Sequence, residues 1–262
     1  MAARNSLERV IALLDVFTED HLEWTPEEMM AELGYSRPTL YRYLKTLKEA
    51  GFLTSMPSGG FTLGPRVVEM DFLMRKSDPL VCYAQPHLEA LAAMWPCNSL
   101  IVRWYGNKLL CVASESSTAD VETSYPRGRP MPLARGAISR AIIAFLPRRK
   151  LLPVVDANLT DLAEVGLGND RDAVLESLRQ VRRAGYAVAY GEVTPGVAGI
   201  AAPVFDGGTS PIASLCVTIA REVADSHGVD AIGRRVAEYA GEVSARLSRD
   251  RTAAESEAAR NA

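Results

Sequence analysis

Between Thr25 and Leu63 the chain is punctuated so closely that few folds remain open to it. Thr25-Pro26-Glu27-Glu28 has the order of a helix start: Thr25 can cap, Pro26 takes the first helical position and Glu28 can reach back. Gly34 ends that helix. One residue later Ser36 can cap another, in which Pro38 is tolerated because first-turn amides have no intrahelical partner anyway. Leu40, Leu44 and Leu47 form its inward stripe. A turn of about 100° per residue leaves Arg37, Thr39, Arg42, Tyr43 and Lys45 outward to differing degrees. One of Tyr41 and Tyr43 is expected to pack on the neighbouring helix. Gly51 closes the helix, and Phe52-Leu53-Thr54 and Phe61-Thr62-Leu63 flank Pro57-Ser58-Gly59-Gly60 as a hairpin.

Two helices joined by a Gly34-Tyr35 turn, the second basic on its outer face, followed by a hairpin, describe a winged helix-turn-helix. The stretch SRPTLYRYLKTLKEAGFLT sets Arg37, Arg42, Lys45 and Lys48 ahead of its first acid, Glu49. The whole chain, at 262 residues, has 32 acidic and 29 basic side chains and a net charge of -3. That balance excludes a protein coated in basic patches and confines any nucleic-acid contact to this helix. Six acids with no lysine or arginine between Glu19 and Glu32 weigh the other way, and a solvated basic face on an interaction module is the alternative.

The length favours two domains. Ahead of Thr25, Leu7, Val10, Ile11, Leu14 and Phe17 share one helical face, with Asn5 and Glu8 placed as a capping box. After the hairpin, RVVEMDFLMRK is a helix too apolar to stand alone, and it is expected to pack on a partner. Asp78-Pro79 starts another helix, stopped by Trp95-Pro96. SLIVRWY and KLLCVASE then form a hairpin about Gly106-Asn107. Gly128-Arg129-Pro130 and Pro132 make a rigid loop before the helix ARGAISRAIIAFL, and a further helix spans 171–183 with Gly185 as its cap. Strands GYAVAYGE, GIAAPVF and PIASLCVTIA follow, the last two joined at Asp206-Gly207-Gly208. A helix over roughly 226 to 248 precedes a polar, frayed tail. Helices beside a mainly antiparallel sheet make the second half α+β.

Cys82, Cys97, Cys111 and Cys216 lie far apart, without CxxC spacing or a neighbouring histidine, so neither a zinc site nor a disulfide framework is expected. The N-terminal stretch is too interrupted by Arg9 and Asp15 for a signal peptide, and no apolar run reaches the roughly 20 residues of a membrane span. A cytoplasmic protein is expected, with no membrane partner. His21, His87 and His227 sit in no nucleophile motif, and GxSxG, HExxH and phosphate-binding loops are missing, so no enzyme activity, cofactor or metal is expected.

Across nearly its whole length the chain resembles the IclR family of bacterial transcription regulators. The resemblance rests on ELGYSRPTLYRYLKTLKEAGFL and FTLGPRVVEM, then on GRPMPLARGAISRAIIAFLP, VRRAGYAVAYGEVTPGVAGIAAPVFD and PIASLCVTIA, in that order. It implies a winged helix-turn-helix at 1–64 that binds operator DNA, a linker helix at 65–78 used in dimerisation, a GAF-like effector-binding domain at 79–250 and a polar tail at 251–262. The expected function is a ligand-responsive regulator of a catabolic or metabolic operon, acting as a homodimer or homotetramer on double-stranded operator DNA. Ser36, Arg37, Thr39, Tyr41, Arg42 and Lys45 are the expected DNA contacts, with Arg37 and Arg42 on base edges because a guanidinium can bond guanine bidentately. Two rivals stand beside this: a ligand-binding or catalytic protein whose first domain mediates protein contacts, and a constitutive DNA-binding protein with a vestigial pocket.

The resemblance places the effector over the sheet of the second domain. Gly136 and Ala137 would offer amides to a carboxylate at a helix start, and Leu133 would give an apolar wall. Cys216 and Thr218, alternate on one strand, would face the pocket together. Relatives often carry acids where this chain has Ala189-Tyr190-Gly191 before Glu192, and a polar residue where it has Gly199. A roomier, more apolar pocket follows, suited to a small organic acid, an aromatic or phenolic carboxylate above all. Tyr190 and Gly199 are counted among its lining, and Arg135 is expected to pair with the acid. Cys216 is read as a plain pocket thiol, since nothing basic beside it in sequence would lower its pKa.

Overall fold

The computed structural model describes residues 5–106, 108–118 and 125–261. The chain divides into two compact units, Met1–Ser77 and Asp78–Ala262. Asn107 of the expected turn, residues 1–4 and Ala262 lie outside the described residues.

In the first unit, α1 (Ser6–Asp15), α2 (Pro26–Leu33) and α3 (Arg37–Glu49) are followed by the hairpin β1 (Leu53–Ser55) and β2 (Phe61–Leu63) and by α4 (Pro65–Ser77). Both α1 and α2 start with complete capping boxes, Asn5 with Glu8 and Thr25 with Glu28. Gly34 ends α2 at φ 67°, a left-handed conformation that only glycine adopts without strain, and this permits the tight turn into α3. The core joins Leu13, Trp24, Met29, Tyr35, Leu40, Tyr43, Leu44, Leu47 and Leu53. Trp24 also pairs with Phe61, adding a third edge to the wing.

One sequence expectation shifts here. Of the expected face of α1, Val10, Leu14 and Phe17 pack on the core beside Ala12, Leu13 and the cap residue Val16, whereas Leu7 is 69% exposed and Ile11 51%. Apolar spacing gives a helix a face but does not say which edge of it the neighbours cover. In α4 no residue is buried, and Val68, Phe72 and Leu73 are more than half exposed.

The second unit is built on one six-stranded antiparallel sheet. Its strands are β3 (Cys97–Trp104), β4 (Leu109–Ser116), β5 (Pro130–Met131), β6 (Ala187–Tyr190), β7 (Val197–Val204) and β8 (Ala213–Ala220), in the spatial order β5-β4-β3-β8-β7-β6. Side chains alternate between its faces. Ile101, Ile200, Ala202, Leu215, Val217 and Ile219 face α5 (Pro79–Met94), α10 (Arg221–His227) and α11 (Val229–Asn261). Leu100, Val102, Ala187, Ala189, Ala201 and Cys216 face α6 (Gly136–Ile143). A satellite core gathers α7 (Arg148–Ala157), α8 (Leu159–Glu164) and α9 (Arg171–Ala184) around Ile143, Leu146, Val155, Leu162, Val174 and Leu178. Helices on both faces of an antiparallel sheet give the expected α+β, GAF-like architecture.

Sequence patterning gives no sign of α7 and α8, because Pro153 lies inside the first and Asn158 separates the two. The polar tail is a second correction. After Gly228 at φ 81°, α11 runs unbroken to Asn261, so residues expected to fray are helical. Alanine is the best helix former, Thr252 and Ser256 donate back to the carbonyls of Ser248 and Thr252, and Arg251 pairs with Glu255 at 2.9 Å.

Candidate nucleic-acid interface and candidate ligand cavity

On α3, Leu40, Tyr43, Leu44 and Leu47 are buried, while Ser36, Arg37, Tyr41, Arg42 and Lys45 are exposed and Thr39 is half-buried. The six expected contact residues therefore share the outer side of one helix. Tyr43 is the inward tyrosine: its ring meets Tyr35 edge-on at 6.1 Å, and its hydroxyl lies 3.3 Å from that of Ser6. Ser36 holds the N-cap position, yet its side chain makes no cap bond and donates to Thr39 Oγ1 instead, at 3.0 Å. The Arg37 guanidinium lies over Tyr41, 5.4 Å from the ring centre, and that of Arg42 over Tyr43 at 5.2 Å. Neither arginine has a salt-bridge partner among the described residues, and Lys45 meets only Glu49, at 3.8 Å across open water. A positively charged, solvent-facing stripe whose guanidinium groups have no salt-bridge partner among the described residues is suited to phosphates and base edges. The wing adds no charge, and Ser58 is hydrogen-bonded to Glu23.

In the second unit a cavity of about 690 Å³, counting the open water at its mouth, lies between α6 and the sheet. Its floor consists of strand positions in transverse register. Ala189 faces Gly199, Gly199 faces Thr218, and one row away Cys216 faces Leu100. Leu109, Met131, Ile138, Val193 and Val197 add apolar wall, and Arg135, Gly136, Ser139, Glu192 and Thr194 make the polar part of the lining. Gly136, at φ 83°, opens α6. Its amide donates to Glu192 Oε2 at 3.0 Å, and the other carboxylate oxygen of Glu192 takes the guanidinium of Arg140. Arg140 also donates to the carbonyl of Val188 at 2.7 Å, so this ion pair ties α6 to the end of β6. A buried pair of this kind is tolerable only because each partner has further hydrogen bonds. Burial pushes the Cys216 thiol well above the ordinary range, which keeps it protonated and unreactive.

Residues 74–245 match the family model described as bacterial transcriptional regulator IclR C-terminal, and residues 6–57 match the IclR helix-turn-helix domain. The chain belongs to the IclR family. Like its relatives, this IclR-family protein is a DNA-binding transcriptional regulator. It is 28% identical over 198 residues to the HTH-type transcriptional regulator KipR of Bacillus subtilis, covering 75% of this chain and 78% of that one. It is likewise 28% identical over 217 residues to the HTH-type transcriptional regulator XynR of Escherichia coli K12, covering 81% and 85%. Its fold is shared with an IclR homolog from Microbacterium hydrocarbonoxydans crystallised in complex with 4-hydroxybenzoate, at a TM-score of 0.74 and 22% identity over 93% of this chain and 99% of that one.

Of the residues expected around an effector in this IclR-family chain, Arg135, Gly136, Gly199, Cys216 and Thr218 line the cavity. Three do not. Tyr190 follows Ala189 on β6 and so points to the opposite face, 44% exposed, with Arg221 over its ring. Leu133 and Ala137 pack into the core between α6 and the sheet. Arg135 lines the mouth, but its guanidinium pairs with Glu164. Leu100, Leu109, Met131, Ile138, Ser139, Glu192 and Val193 were not expected. Strand alternation could have found Leu100, which pairs with Cys216. Nothing local signals Glu192 at the Gly136 amide, 56 residues away. Among the described residues no helix is long and apolar enough to cross a membrane.

Proposed function

We propose that this protein is a ligand-responsive regulator of a catabolic or metabolic operon, working in the cytoplasm as a homodimer or homotetramer and without catalytic activity. The α3 face enters the major groove of double-stranded operator DNA, with Arg37 and Arg42 on base edges and Ser36, Thr39, Tyr41 and Lys45 on phosphates or thymine methyls. Residues 1–64 are the DNA-binding domain and 65–78 the linker helix. The second unit binds a small organic acid, for which an aromatic carboxylate fits the lining best. The observation that carries this reading is the pairing, in one chain, of an exposed arginine stripe on α3 with an apolar cavity whose polar groups gather at the start of α6. That the Microbacterium neighbour holds 4-hydroxybenzoate, an acid of this class, supports the ligand choice. Each head carries few basic groups, so binding at physiological salt requires repeated half-sites and more than one subunit.

The test is fluorescence anisotropy with duplexes from the DNA upstream of the protein's own gene, with salt varied and aromatic and short aliphatic acids added in turn. Sequence-selective binding that weakens with salt and shifts with an aromatic acid is expected. Binding that ignores sequence would sink the operator reading. A response confined to short aliphatic acids would overturn the choice of ligand.

A further inference from the structure

The start of α6 already holds a carboxylate, and it is the protein's own. Glu192 accepts from the Gly136 amide and pairs with Arg140, the two side chains being 13% and 10% exposed. Arg140 is not itself part of the cavity lining, but its neighbour Ser139 brings a hydroxyl there. It is 1% exposed, and its Oγ has no hydrogen-bond partner among the described residues. The other two small polar groups on the floor are satisfied: Thr218 donates to the carbonyl of Asn98 and Cys216 to that of Val217. Ser139 is thus a donor that no protein group among the described residues engages. A bound molecule would complete it.

We propose that Glu192 is a built-in competitor for the carboxylate of the ligand, and that Ser139 is the donor reserved for that ligand. An incoming acid takes over the Gly136 amide and the Arg140 guanidinium, and its second oxygen accepts from Ser139. Glu192 leaves with the connection between β6 and β7, residues 191–196, on which Val193 and Thr194 also line the cavity. One amide and one guanidinium cannot serve two carboxylates side by side, because like charges at that separation repel. The two states are therefore exclusive, and the affinity of an acid reports the difference between two carboxylates competing for one donor set. The ligand class follows from the remaining lining: a monocarboxylate with an apolar or aromatic body against Leu100, Leu109, Met131, Ile138 and Val197. Exchange of the buried anion gives the ligand a differential effect on two arrangements of the β6–β7 connection, which an allosteric response requires. The inference rests on the reading of this cavity as an acid site.

The experiment titrates benzoate and its uncharged isostere benzamide, by calorimetry, into the wild-type protein, Glu192→Gln, Glu192→Asp and Ser139→Ala. Removing the competing charge should tighten benzoate binding by roughly tenfold or more in Glu192→Gln, the scale of one charge-assisted hydrogen bond. Glu192→Asp, which reaches less far, should show a smaller gain, and Ser139→Ala a several-fold loss. Benzamide should bind alike to wild type and Glu192→Gln. Hydrogen exchange over 191–196 should rise when benzoate binds to the wild type. Equal or weaker benzoate binding in both folded Glu192 variants, with binding to the wild type intact, overturns the competitor and leaves the acid site standing. Benzoate binding to none of the proteins removes both.

Discussion

The starts of α3 and α6 pose one electrostatic problem, and the chain meets it in opposite ways. Both helices present unpaired amides and the positive end of the helix dipole. In neither does the N-cap side chain close them: Ser36 donates to Thr39, and Arg135 makes no cap bond. The first turn of α3 has no acid and faces water with Arg37 and Tyr41. At α6 the first amide is taken by Glu192, which follows β6 and also pairs with Arg140 of α6 itself. Solvent makes the difference tolerable. An exposed positive end is hydrated and can wait for a polyanion, whereas a buried guanidinium beside a bare helix start would be several kcal/mol out of balance, so the fold supplies an anion.

The largest effect should come from giving α3 what α6 already has. Thr39 is the third residue of α3, and Thr39→Glu would complete a capping box with Ser36. The helix should then start as well as before or better, while the new carboxylate lies against the phosphates that α3 is proposed to meet. Operator binding should fall by about a hundredfold or more, since a like-charge contact costs several kcal/mol. The melting temperature should hold or rise. Unchanged DNA binding would mean that the α3 start does not approach the duplex. A step smaller, Arg37→Ala and Arg42→Ala should each cost about 1–3 kcal/mol of specific binding and relax sequence preference. Calorimetric affinity for benzoate should stay the same in both. A uniform loss across unrelated DNA sequences would turn these arginines into phosphate contacts.

The two helix starts also differ in how far the sequence reveals them. Everything around α3 is local: a proline in the first turn, leucines at helical spacing and glycines at the boundaries lie within one 40-residue stretch, so the winged head could be read directly. Tyr43 marks the limit, because it is drawn inward by Tyr35 and Ser6, residues whose position no spacing rule supplies. The cavity is legible by half. Alternation on β8 puts Cys216 and Thr218 on one face, but the same rule, applied from Ala189, turns Tyr190 away from it. Glu192 reaches Gly136 through a sheet whose order is not sequential, and Ser139 looks like any polar helix residue until its neighbours are known.

The finest test of the comparison concerns two serines. Ser36 is exposed and its hydroxyl has a partner, so Ser36→Ala should change stability by no more than about 0.5 kcal/mol. Ser139 is buried without one among the described residues, and Ser139→Ala keeps nearly the same shape while removing that hydroxyl. Apolar replacement of an unsatisfied group is neutral to stabilising, and a gain of about 1 kcal/mol is expected. For a unit of this size that raises the melting temperature by roughly 2–4 °C in the ligand-free protein. The same substitution should lower benzoate affinity, so stability and binding move in opposite directions. That opposition separates a donor kept for a ligand from a packing residue, for which both would fall together. A lower melting temperature in Ser139→Ala would mean the hydroxyl is satisfied in the unliganded state, and the reservation of Ser139 for a ligand would fall with it.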